Sequence, residues 1–153
     1  MKKKIFFLIV LTLFLVLVFM RQNSADVPMP ELESAMLSET DISQTMRKSG
    51  DLDLMHFMNI SPSETVEYVY YRGTGALSVD EFLIVRTRGH NELGPFRDAV
   101  EARIDEQIGT FEGYGPEQVA ALKSALIVEK GPYILYSVGP SPEKIEEVFT
   151  HAL

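Results

Sequence analysis

Apolar positions follow three different periods along this chain. From Ile5 to Met20 they are continuous, with Thr12 the single polar residue among sixteen. Between Phe96 and Phe111 they recur every three or four residues, at Phe96, Val100, Ile104, Ile108 and Phe111, which lays one stripe along about four turns of helix. Four further segments, Val66 to Tyr71, Phe82 to Arg88, Ala125 to Glu129 and Tyr133 to Val138, are dense in branched and aromatic residues and favour strands. The striped helix needs a surface to cover, and the strands supply it. The pattern therefore predicts an α+β fold: a small, mainly antiparallel sheet of about four strands roofed by the long helix. Phe82-Leu83-Ile84-Val85 is apolar on both faces, which suggests a central position for this strand.

Turn and cap residues divide the rest. Ser61-Pro62-Ser63-Glu64 carries the signature of a capping box, with room for only about a turn before the next strand. Gly113 can close the long helix in a left-handed conformation, and Gly115-Pro116 can open a second helix to Ser124 that buries Val119 and Leu122. Tyr114, between the two glycines, is expected to fold back onto the helix end. Lys130-Gly131-Pro132 reads as a tight hairpin, and Ser141-Pro142-Glu143 starts a last helix with Ile145, Val148 and Phe149 inward. Upstream, Leu32, Ala35 and Met36 suggest a short amphipathic turn or two from Glu31 to Leu37. Residues 38–49 are polar and carry no periodicity. A helix from Gly50 to Met58 is expected to anchor through Leu52, Met55, Phe57 and Met58, capped by Ser49 or Asp51. On the long helix, Arg97 with Glu101 and Arg103 with Glu106 have the spacing of ion pairs on its outer face.

The leading apolar run bears on address. As a helix its sixteen residues span about 24 Å against a hydrocarbon layer of about 30 Å, a gap that Lys4 and Arg21 can cover by snorkelling. Small residues are not well placed for signal cleavage, because Asn23 and Gln22 fall where the third position before a cut would lie. The expected organisation is an uncleaved signal anchor over residues 1–21, a spacer over 22–30 in which Pro28 and Pro30 discourage helix, and one domain over 31–153. A secreted form after cleavage is the alternative. Lys2, Lys3 and Lys4 precede the run, so the domain is expected outside the cytoplasm, in a single-pass membrane protein whose membrane contact runs through residues 5–20.

Charge narrows the partners. Setting aside those three lysines leaves eleven basic against twenty-two acidic residues, a formal charge of −11. Such a body repels nucleic acid and anionic lipid, and no basic cluster interleaved with aromatics argues otherwise. The chain has no cysteine, which removes disulfides, thiol catalysis, cysteine zinc sites and lipid attachment through an N-terminal cysteine.

The stretches Ser63-Glu64-Thr65-Val66-Glu67-Tyr68-Val69-Tyr70, Asp80-Glu81-Phe82-Leu83-Ile84-Val85, Phe111-Glu112-Gly113-Tyr114-Gly115-Pro116-Glu117-Gln118 and Gly131-Pro132-Tyr133-Ile134-Leu135-Tyr136 resemble DUF4358, a bacterial domain family of unknown function found mostly in Firmicutes-type organisms. The likeness covers roughly residues 31–150, and the helix break around Tyr114 is its most specific piece. The resemblance implies a small exported domain behind a signal or lipid-anchor segment. It implies no activity, so no catalytic or binding residue comes with it.

Candidate chemistry is sparse. His56, His90 and His151 lie on different elements and lack the spacing of a metal site. Gly73-Thr74-Gly75 starts like a dinucleotide loop, but Ser78 stands where the third glycine belongs and a strand follows. Asp51-Leu52-Asp53 loses its calcium-loop pattern at Met55. Glu101, Asp105 and Glu112 form at most a solvated acidic strip. The residues with the largest functional share are Glu112, Tyr114 and Glu117, which could shape a ligand cleft at the helix break, set against a structural role as packing staple and dipole partner. The expectation is a noncatalytic, membrane-anchored extracytoplasmic domain that binds an envelope protein or small ligand and needs no cofactor. A cell-envelope enzyme using carboxylates near the break, and a structural tether, are the alternatives.

Overall fold

A computed structural model describes residues 2–22 and 26–153, with side chains at 6–16 and 26–153. The four expected strands are present as β2 (Glu67–Gly73), β3 (Glu81–Arg86), β4 (Leu126–Lys130) and β5 (Tyr133–Val138), and β1 (Met46–Ser49) joins them. They form one antiparallel sheet of five strands in the order β1-β2-β3-β5-β4, which places β3 at the centre as its apolar run requires. Gly131, at φ 56°, turns the β4–β5 hairpin. The fifth strand corrects the expected count of about four. Its residues carry no alternation because β1 is a short edge: Met46 alone is buried, while Arg47 and Lys48 face solvent and Lys48 reaches Glu33 at 2.9 Å.

Both faces of the sheet are roofed, where the sequence pattern implied a single helical cover. On one face lie α2 (Met29–Glu39), the short α3 (Ile42–Thr45) and α7 (Pro142–Ala152). They pack Leu32, Met36, Ile42, Ile145, Val148 and Phe149 against Val69, Phe82, Ile84 and Leu135. On the other lie α4 (Asp51–Met58), α5 (Gly94–Phe111) and α6 (Pro116–Lys123), which pack Leu54, Met58, Phe96, Val100 and Leu122 against Tyr70, Leu83, Val85, Ile134 and Tyr136. Alternate residues of each strand thus enter opposite cores, the two-residue period of a sheet buried on both sides. The long helix sits as its stripe dictates, with Phe96 and Val100 buried and Ile104, Ile108 and Phe111 packed along the margin.

Two local expectations change. On α4 the inward pair is Leu54 and Met58, four apart, whereas Leu52 is 78% and Met55 42% exposed. Gly50 takes the N-cap position there, with no side-chain cap. Helix α2 begins at Met29, within the expected spacer, because Pro28 supplies the cap and Pro30 falls in the first turn, where its missing N–H costs nothing. The capping box from Ser61 to Glu64 forms as read, with Ser61 N–H donating to Glu64 Oε2 at 2.9 Å.

Ahead of the domain, α1 (Lys2–Gln22) carries Phe6 through Val16 exposed along its length. Among the described residues no helix is long and apolar enough to cross a membrane. Part of the expected span, 5 and 17–20, lies outside the described side chains. Asp26 and Val27 then join the sheet directly: Asp26 pairs with Arg86, and Tyr133 Oη donates to the Val27 carbonyl at 2.6 Å.

Candidate functional site

The break between α5 and α6 is built as its sequence directs. Gly113 takes φ 94°, and the Gly115 N–H donates to the Phe111 carbonyl at 2.9 Å. A Cβ at Gly115 would lie 2.7 Å from Phe111 Cδ1, so glycine there is favoured by space. Tyr114 folds back on Phe111, ring centroids 5.5 Å apart, yet remains 63% exposed. Glu112 caps α5 and Glu117 lies in the first turn of α6, both in solvent.

A different cluster, hidden from the periodicity, sits beneath α5. Glu81 opens β3 with the same parity as Leu83 and Val85, so its side chain enters the core under α5, where it is 2% exposed. Arg103 lies over it, donating through Nη2 to Oε1 at 2.9 Å and through Nε to Oε2 at 3.2 Å. Tyr70 and Tyr136, on the strands flanking β3, donate their hydroxyls to Oε1 at 3.1 Å and Oε2 at 3.2 Å. Arg72, the cross-strand neighbour of Glu81, brings Nε to 3.4 Å and lays its guanidinium 3.4 Å from the Phe57 ring centroid. Arg103 therefore points inward as well as to Glu106 at 3.3 Å, which corrects its assignment to the outer face. Burial, and then the Glu81 carboxylate, push the Tyr70 and Tyr136 phenols well above the usual tyrosine range.

The chemistry this allows is limited. A carboxylate has about four acceptor positions, and here donors from Arg103, Tyr70 and Tyr136 occupy them. Glu81 is saturated with donors, a structural carboxylate that pins α5 to the sheet. The sequence signal for it was parity: a Glu two residues before an inward Leu on a doubly covered strand must itself point inward.

Concave surface lies elsewhere, around the connection from β3 to α5. One groove of about 620 Å³ is lined by Asn59, Glu64, Asn91, Glu92, Phe96 and Asp98, among others. A second, of about 780 Å³, is lined by Arg88, His90, Asn91, Glu129 and Pro132 with two glycines. They share Asn91, and neither includes Glu112, Tyr114 or Glu117. The histidines stay apart: His56 packs edge-on against Phe57 on α4, His90 lines the second groove, and His151 ends α7. Among the described residues no group of three or more His, Asp or Glu side chains is placed to hold a metal ion.

Comparison with known proteins gives one match: the family described as Domain of unknown function (DUF4358) matches residues 38–139, about two thirds of the chain. No curated protein and no solved structure matches it.

Proposed function

The chain belongs to the DUF4358 family, a domain of unknown function, and we propose from its own residues that it is a noncatalytic module, anchored in a cell membrane, that binds an envelope protein or small ligand outside the cytoplasm. The observation that carries this is α1. Phe6, Phe7, Leu8, Ile9, Phe14 and Leu15 all stand more than half exposed, beside a domain whose own core is closed without them. Each large apolar side chain left in water forgoes about 1.5–3 kcal/mol, so such a helix requires a nonaqueous surround. The three lysines before it, against the single Arg21 directly after it, favour the domain on the outer side. The two grooves that share Asn91 are where a small ligand would be held. An envelope enzyme built on Glu112 and Glu117 needs a cleft joining them, and neither groove reaches that corner.

The test is fractionation of the full chain from a bacterial host. The reading expects membrane association that survives alkaline carbonate, an intact amino terminus, and a domain that protease digests in spheroplasts. Removal of residues 1–21 should release a folded protein. A full chain found in the cytosol, or one shortened at its amino terminus in the medium, would overturn the anchored reading.

A further inference from the structure

The two edges of the sheet are finished differently. β1 is four residues long with Arg47 and Lys48 exposed, a short basic edge of the kind that resists pairing. β4 has no such guard. Its apolar residues are Leu126, Ile127 and Val128, and its two charged side chains are drawn onto helices: Glu129 accepts from Arg97 Nε at 2.8 Å, and Lys130 Nζ donates to the Thr150 carbonyl at 2.6 Å.

Main-chain directions follow from the neighbouring strand. Thr87 N–H donates to the Pro132 carbonyl at 2.9 Å, so Pro132 and, by alternation, Ile134, Tyr136 and Val138 turn toward β3. Tyr133, Leu135 and Ser137 then turn toward β4, where they pair with Lys130, Val128 and Leu126. That leaves the N–H and C=O of Ile127 and Glu129 on the outer side. Among the described residues no main-chain hydrogen bond from another element reaches them.

We propose that β4 is an assembly site that pairs antiparallel with β4 of a second copy of this chain, about a two-fold axis at Val128. The spacing is self-complementary. Ile127 of each copy meets Glu129 of the other, and every free N–H and C=O on the edge gains a partner. Val128 meets Val128 on the α7 face, and Leu126 meets the alkyl stem of Lys130. No like charges oppose one another, whereas sliding the pair to centre on Glu129 would set two carboxylates face to face. The acidic surfaces of two copies repel, so the dimer should tighten as salt is added. This inference does not depend on the membrane reading.

The test uses the purified full chain in detergent. The chain has no cysteine, so Val128→Cys introduces a unique thiol. Facing residues of a non-hydrogen-bonded antiparallel pair lie about 4.5 Å apart at Cα, within disulfide reach. Diamide should link V128C into dimers at least about tenfold faster than Leu52→Cys on exposed α4, because only the former would be held within that reach. Ile127→Pro and Glu129→Pro each remove an outward N–H unused in the monomer. At least one should keep the wild-type melting temperature and sediment as a monomer where the wild-type chain is a dimer. A wild-type chain that sediments as a monomer up to about 100 μM, in a concentration range where modest interfaces associate, would overturn the proposal. So would V128C linking no faster than L52C, or a dimer that both folded proline variants retain, which would put the contact on α1 or another face.

Discussion

Arg103 on α5 and Glu81 on β3 meet as a fork on a carboxylate, with two contacts of 2.9 and 3.2 Å, and this pair joins the longest helix of the domain to the central strand. Arg103→Met leaves a buried carboxylate with only phenols and the more distant Arg72, and should cost about 3–5 kcal/mol. The loss is read as a fall in urea midpoint at unchanged slope. Glu81→Leu combined with Arg103→Met should be less destabilised than the sum of the singles, since no charge is then buried alone.

Alkaline pH should expose the same cluster. Tyr68 is pushed up to about 12 by burial and by its hydrogen bond to Asp51, and Tyr70, Tyr71, Tyr133 and Tyr136 are raised as well, burial being the first cause in each. A folded-state pKa above the unfolded value of about 10 means the native state holds protons that the unfolded chain has lost. Stability is therefore full below about pH 10 and falls as pH rises beyond it. Tyrosinate absorbance of the native protein should lag that of the chain in guanidinium, and Tyr70→Phe with Tyr136→Phe should remove part of the lag.

The corner between α5 and α6 separates backbone from side chain. Gly113→Ala places a Cβ in a left-handed residue and should cost about 1–2 kcal/mol. Gly115→Ala meets Phe111 and should also destabilise. Tyr114→Ala, at an exposed ring, should stay within about 0.5 kcal/mol in melting experiments. A much larger loss for Y114A would make the ring a structural staple of greater weight than its exposure implies.

Phe57 and Arg72 supply the fourth test. With the guanidinium 3.4 Å from the ring centroid, a double-mutant cycle of Phe57→Leu and Arg72→Gln should return a coupling of about 0.5–2 kcal/mol. A coupling near zero would mean that Arg72 serves Glu81 alone.

Much of this architecture was written in local pattern. The apolar run from Phe82 to Val85 announced the central strand, Gly131-Pro132 the hairpin, Ser61 to Glu64 the capping box, and Phe96 to Phe111 the roofing helix. What escaped had its cause in tertiary contacts. β1 is a strand because β2 presents an edge to it, and nothing in Met46-Arg47-Lys48-Ser49 says so. Leu52 and Met55 look as apolar as Leu54 and Met58, and only the packing of α4 chooses between the two phases. Arg103 has helix neighbours suited to an outer ion pair, and its inward turn depends on Glu81, which lies twenty-two residues away in sequence. The candidate residues Glu112, Tyr114 and Glu117 are grouped in sequence at the helix break, while concave surface gathers around Asn91.

The clasp at the start of the domain has a mechanical consequence. Asp26 holds Arg86 at the end of β3, and Val27 receives the Tyr133 hydroxyl at the start of β5, so the incoming chain is fastened to the middle of the sheet. A pull on the amino terminus therefore loads these two side-chain contacts with the sheet before it reaches the first turn of α2.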